Sequence, residues 1–388
     1  MYDDIRELTS RFGYPAELER KLVALREILE RAYGSALRSV ILCGSIATGD
    51  FVWIREGSAV RFMSDIDGMA FVDGDADLTL ASDALRNLRN DPAGSVLFHV
   101  DISVGPVSGL RRLPRSFHAA EIRKAGWVLC GEDVRTWFPV DFDPATARLA
   151  FFVNLWKPFL LSAVKSDCPE VYLHAMARQI LDVAILACSE RSECIPGHSR
   201  RVEALLSLPD DHPLATPEVR SALGHALMVR QGKPVDVRQL ETDQDKVLWT
   251  TLQFLETQCG GDWNGTVTPE RIGQLLAPRT MRELLREALS EFVGRRFDPM
   301  WLWRRKEALA AASLLEIYQY RAAGWSGPSS AMTRRWLAQF SGELMPKLEG
   351  DAFAMAARRS YWTGELRLHP TAQRHRDWVG PLIGVAHV

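Results

Sequence analysis

Leucines recur at helical spacing in the segment Ala16–Tyr33, at Leu18, Leu22, Leu25 and Leu29, which predicts an amphipathic helix that stops near Gly34. Residues 39–43 (SVILC) form an unbroken apolar run closed by Gly44, the pattern of a short buried strand. Two β-prone runs, 51–54 and 59–63, flank the polar stretch 55–58 and predict a hairpin. Ile66–Val72 reads as a further strand, 78–90 as a helix and 96–104 (VLFHVDISV) as another strand. The acidic stretch 73–77 has the composition of a calcium loop but reads as a solvated turn. Beyond about residue 141 the pattern changes to helical periodicity over 144–166, 169–190, 199–208, 240–257, 278–293, 299–322 and 332–345. Pro158 predicts a kink or break near Lys157. Stretches 208–216 and 324–330 are rich in Pro, Gly and Ser and read as linkers.

This order predicts an α+β chain, with a short mixed β-sheet flanked by helices in an N-terminal α/β domain (1–140) and a mostly α-helical region (141–388). The helical region has a further break near 209–216 or 324–330. A length of 388 residues fits two domains or more at about 150 residues each. With 47% hydrophobic and 25% charged residues, the chain has enough apolar surface for a packed core, which excludes a disordered or fibrous class. Lys and Arg number 47 and Asp and Glu 49, a formal charge of −2 that argues against a polynucleotide partner needing a basic face. No run approaches the roughly 18 apolar residues of a membrane span, and the acidic start Met1-Tyr2-Asp3-Asp4 lacks the pattern of a secretory leader. The expectation is a cytoplasmic protein with no membrane contact. Six cysteines without a C-x-x-C pair read as neutral thiols rather than a disulfide framework or zinc site.

The chemistry is concentrated in Leu42-Cys-Gly-Ser-Ile-Ala-Thr-Gly-Asp50, Ser64-Asp-Ile-Asp67 and His99-Val-Asp-Ile102. Asp65 and Asp67 stand two apart where a strand is predicted, so their side chains share a face, with about 7 Å between them along the chain. Carboxylates held that close repel, and a divalent cation relieves the repulsion. Mg²⁺ suits the pattern because it takes few protein carboxylates and completes its octahedron with water and phosphate oxygens. Asp101 lies mid-strand among apolar neighbours, where an uncompensated charge is costly. If its strand pairs beside that of Asp65 and Asp67, three acids converge. Gly44 and Ser45 follow a strand and open a turn whose backbone N–H groups and hydroxyl can hold a phosphate.

Together these motifs resemble the DNA polymerase β-like nucleotidyltransferase superfamily, in particular its small-molecule members such as the aminoglycoside nucleotidyltransferases. The resemblance covers roughly residues 38–104 and, less firmly, Gly126-Trp-Val-Leu-Cys-Gly131. It implies a nucleotidyltransferase fold, ATP or another NTP as co-substrate, two Mg²⁺ ions and a small-molecule acceptor. Carried over by position, Gly44, Ser45 and Ser64 would contact the nucleotide. Asp65 and Asp67 would ligate the metals, and Asp101 would be the third ligand or the base. Related enzymes place triphosphate-binding cations on the first helices of the second half, where Lys157, Lys165 and Arg178 lie here. One departure stands out: Gly44 and Asp65 are 21 positions apart, about twice the family's usual separation. The predicted hairpin accounts for the excess by returning the chain to its starting point.

The implied activity is transfer of a nucleoside monophosphate from an NTP to an acceptor hydroxyl, with release of pyrophosphate. The alternatives are a nucleotide-binding regulatory or toxin–antitoxin-type module without turnover, and a synthase of oligonucleotide second messengers. The acceptor, the base and the oligomeric state stay open. Other candidates have plainer readings. Arg191 and His198 match the loose spacing of helical ribonucleases but read as capping or surface residues. Arg111, Arg112 and Arg115 read as a solvated turn as readily as a phosphate contact, Arg304-Arg-Lys306 as an exposed helix face, and Trp301 and Trp303 as core.

Overall fold

A computed structural model describes residues 2–74, 76–89, 100–113, 115–153 and 169–258. The expected helices 278–293, 299–322 and 332–345, the linker 324–330 and Pro158 lie outside the described residues.

The chain is α+β. Helix α1 (Asp3–Phe12) carries Asp3 and Asp4 in its first turn and Arg11 in its last, which complements the helix dipole, and it buries Ile5 and Leu8. Helix α2 (Ala16–Tyr33) buries Leu18, Leu22, Leu25 and Leu29, the stripe read from the sequence, and ends at Gly34. Then follow β1 (Leu37–Cys43), the single turn α3 (Ser45–Thr48), and a hairpin of β2 (Trp53–Glu56) and β3 (Ala59–Phe62). After these come β4 (Ile66–Val72), α4 (Ser82–Arg89) and β5 (Val100–Pro106), then α5 (Phe117–Ala125), β6 (Trp127–Gly131) and α6 (Pro144–Val153). The later helices are α7 (Pro169–Leu181), α8 (Ala184–Arg191), α9 (His198–Leu206), α10 (Pro217–Arg230) and α11 (Val237–Gln258).

The main sheet has the order β5-β4-β1-β6. Strand β1 runs antiparallel to β4 and β6, while β4 and β5 are parallel. A parallel neighbour needs a crossover, and the β4–β5 connection holds α4. Alternation along the strands divides two cores. Val40 and Leu42 of β1, with Ile66, Ala70 and Val72 of β4, pack with the leucines of α2. Ile41 and Cys43 face the other way with Phe71, beside Leu110, Ala119, Ile122, Val134 and Phe138. The predicted hairpin is present, pairing Trp53 with Phe62 and Glu56 with Ala59.

The described residues fall into two compact units. The first is drawn from Met1–Ala147, Ala184–Ser207 and Arg230–Lys233; the second from Arg148–Val183, Leu208–Val229 and Pro234–Val388. The pattern read as one helix over 169–190 is two, α7 and α8, and the break at Asp182-Val183 falls where the chain passes between units. In the second unit, Tyr172 of α7 donates to Glu241 of α11 at 2.9 Å, and the buried Gln244 donates to Gln179 at 2.9 Å. Asp243 of α11 meets His225 Nδ1 of α10 at 2.7 Å and accepts from Gln239 at 2.9 Å. Among the described residues no helix is long and apolar enough to cross a membrane.

Candidate active site

Strand parity places the acids. Buried and half-buried positions alternate at the start of β4, so Ile66 and Gly68 turn into the α2 core while Asp67 and Met69 take the opposite face. Asp65, expected on the same strand, lies one residue before β4 begins and is half-buried. Strand β5 repeats the pattern: Val100 is buried in the α2 core and Asp101 takes the other face, half-buried. The register sets Asp67 directly beside Asp101 across the parallel pair, and Asp67 opposite Cys43 across the antiparallel pair. Neighbouring strands lie about 4.8 Å apart, so the two carboxylates start from adjacent backbone positions.

The electrostatic consequence is visible at Cys43. Burial pushes its thiol well above the ordinary thiol range, and the negative charges of Asp67, Glu121 and Asp101 push it further. The end of β1 therefore lies in a region of negative potential. Among the described residues no group of three His, Cys, Asp or Glu side chains is clustered tightly enough to hold a metal ion as it stands. The donor set fits a hard cation in kind, carboxylate oxygens being what Mg²⁺ takes.

Gly44 turns the chain from β1 into α3 with φ 64° and ψ −147°, a combination close to one that only glycine adopts readily. A Cβ at this position would stand 3.0 Å from Asp67 Oδ2, so the lack of a side chain also makes room for that carboxylate. The Gly-Ser turn and the second acid of the Asp-x-Asp pair, 23 positions apart in sequence, are thus in direct contact. The hairpin makes this possible. Met63 N–H donates to Val52 O at 2.9 Å, and Val52 N–H donates to Ser64 Oγ at 3.0 Å, closing the hairpin at its base. Ser64 is buried, and the hydrogen bond it accepts is to the hairpin backbone.

Further support for the turn comes from residues to which the sequence reading gave no role. Tyr14 Oη donates to Ile46 O at 3.0 Å, and burial raises the phenol far above its ordinary value. Asp50 N–H donates to Ser45 O at 3.0 Å. The Asp50 carboxylate accepts from His198 N–H at 2.6 Å, Ser199 N–H at 3.2 Å and Ser199 Oγ at 2.5 Å, which caps α9. Glu121 accepts from Gly197 N–H at 3.1 Å and ion-pairs with the buried Arg201 at 3.4 Å. The residues that follow β1 are therefore held by a segment some 150 positions along the chain. Asp50 stands inside the motif quoted above; nothing in its neighbours signals the distant partner.

The other sequence candidates take other places. Arg178 lies on α7 in the second unit and pairs with Asp182 at 3.5 Å. Lys157 and Lys165 lie outside the described residues. Arg191 donates to Ala204 O and Ser207 Oγ at the end of α9, a capping contact. Arg115 ion-pairs with Asp141, both exposed. Asp77 of the acidic loop accepts from Thr79 N–H at 2.9 Å and from its hydroxyl at 2.8 Å, an Asx turn that holds its carboxyl below the ordinary range.

Comparison with protein-family models gave no match, and comparison with the curated proteins gave none.

Proposed function

We propose that the chain is a metal-dependent nucleotidyltransferase that moves a nucleoside monophosphate from an NTP to a hydroxyl of a small molecule. The observation that carries the reading is the register of β4 and β5, which puts Asp67 beside Asp101, with Gly44 packed against the Asp67 carboxylate. Like charges at opposed positions of adjacent strands repel, and a bound divalent cation lowers that cost. Mg²⁺ bound by Asp65, Asp67 and Asp101 would supply positive charge to the triphosphate.

The chain's own residues account for the remaining steps. The Gly44–Ser45 turn offers backbone N–H groups to the phosphates at a point where a side chain would obstruct them. Asp101 takes the proton of the acceptor hydroxyl as that oxygen bonds to the α-phosphorus. The bond from the α-phosphorus to the oxygen bridging to the β-phosphate breaks, and pyrophosphate leaves with that electron pair. The formal charge of −2 favours a small acceptor over a polynucleotide.

The test is thermal melting with ATP, GTP, CTP and UTP, with and without Mg²⁺, on wild type and Asp65→Asn/Asp67→Asn. A ligand at a hundredfold excess over its Kd stabilises the native state by about 2.7 kcal/mol. The expected result is a Mg²⁺-dependent rise for at least one nucleotide, lost in the double variant, followed by pyrophosphate release in an acceptor screen. Binding without release in any acceptor screen favours a regulatory module. Turnover to nucleotide-only products favours a second-messenger synthase. No shift with any nucleotide refutes the proposal.

A further inference from the structure

We propose that Asp50 is the positioning residue of the nucleotide site, holding the Gly44–Ser45 turn in its binding geometry by clamping it to Gly197–Ser199. The inference rests on the reading of that turn as the triphosphate cradle. Its basis is a set of bonds that meet at one side chain. Thr48 Oγ stands 3.2 Å from Gly44 O, 3.4 Å from Ser45 O and 3.1 Å from Asp50 Oδ2. Asp50 thus reaches the turn twice, through its own N–H to Ser45 O and through the Thr48 hydroxyl beside Gly44 O. The carboxylate accepts from His198 N–H at the same Oδ2 and from Ser199 N–H and Oγ at Oδ1, and Arg230 donates to the Asp50 carbonyl.

The approach is too close for any residue but glycine at 197. Gly197 has φ 82°, and a Cβ there would stand 2.6 Å from Asp50 Oδ2 and 3.0 Å from Thr48 Cβ. Glu121 accepts from Gly197 N–H, and Arg201 Nε donates to Gly197 O at 2.9 Å, so the glycine is pinned from its other side as well. A turn held in the conformation that Gly44 requires, by charge-assisted bonds on a buried frame, is preorganised for its ligand. A carboxylate in this role does not touch the phosphates; it acts through the backbone it fixes.

The experiment compares the Kd for Mg·ATP, or for whichever of the four NTPs the wild type binds, across Asp50→Ala, Asp50→Asn, Gly197→Ala and Leu205→Ala. Leu205 is buried on α9, six residues beyond Ser199, and serves as the control for lost stability. The expected result is a roughly tenfold or greater rise in Kd for Asp50→Ala and Gly197→Ala. Asp50→Asn, whose amide oxygen still accepts from the α9 amides, should recover part of that loss. Leu205→Ala should lower Tm while keeping the wild-type Kd. Asp50→Ala binding as tightly as wild type, or Leu205→Ala weakening binding as much as Asp50→Ala, overturns the inference and leaves the nucleotide reading standing. Failure of the wild type to bind any nucleotide removes both.

Discussion

Gly44 carries two constraints at one atom: a backbone conformation that disfavours a side chain, and an Asp67 oxygen 3.0 Å from where a Cβ would sit. Gly44→Ala is expected to cost about 1–3 kcal/mol of stability from backbone strain and to abolish Mg²⁺-dependent nucleotide binding. Urea unfolding checks the first and melting with nucleotide the second. The sequence made this residue legible only in combination with the Asp-x-Asp pair and the later acid, since a Gly-Ser pair alone carries little signal. It also made Asp67 and Asp101 legible, since an acid within an apolar strand demands an explanation. Asp50 was opaque for the opposite reason: an acid following Gly49 in a turn looks like ordinary solvated punctuation, and the donors that give it a role lie 148 and 149 positions away.

At the scale of elements, a buried ion pair joins α9 to α5. Glu121 and Arg201 are 11% and 6% exposed at their side chains, and the Arg201 guanidinium also stands 5.5 Å from the centroid of the Phe117 ring. Removing one partner of a buried pair leaves an uncompensated charge, so Glu121→Gln is expected to destabilise by about 3–5 kcal/mol. Denaturant unfolding gives the magnitude, and faster amide exchange across 193–206 shows where it is felt. The helix of 16–33 was readable because its leucines keep one helical period over its length, and the hairpin because two β-prone runs flank the polar stretch 55–58. Besides the single turn α3, the helices α1, α5 and α10 were not anticipated. In α1 the apolar positions are Ile5, Leu8 and Phe12 amid charges; α5 is short and alanine-rich; α10 has apolar residues nearly all round. The break between α7 and α8 carries no proline or glycine, so it had no punctuation to reveal it.

For the molecule as a whole, pH reports the burial of its thiols. Burial pushes Cys130 up to about 11 and Cys194 up to about 12, and it raises Cys43 and Cys188 as well. In the unfolded chain a thiol ionises above about pH 8.5. Between that pH and about 11 the folded state keeps protons that the unfolded state has lost, so stability falls as pH rises. Tm is expected to drop across this window, with a shallower slope in Cys130→Ala/Cys194→Ala, as measured by melting at fixed ionic strength. Cysteine count excluded a disulfide scaffold from the sequence; which thiols are buried could be known only from the packing. A change of texture near residue 141 marks where strands give way to helices, but periodicity carries no record of which helices join which core.

The interleaving of the two units has a consequence for how the protein is made. Asp50 leaves the ribosome 148 residues before His198, an interval of about 7–30 s at synthesis rates of about 5–20 residues per second. During that time the sheet strands β1, β4 and β5 can pair, and the Gly44–Ser45 turn has no clamp. A nascent chain arrested before residue 197 therefore carries all three carboxylates and the Gly-Ser motif but not the bonds to Asp50 from residues 198 and 199. Completion of the turn therefore waits until synthesis has passed residue 199, about halfway along the 388-residue chain, although its strands are made much earlier.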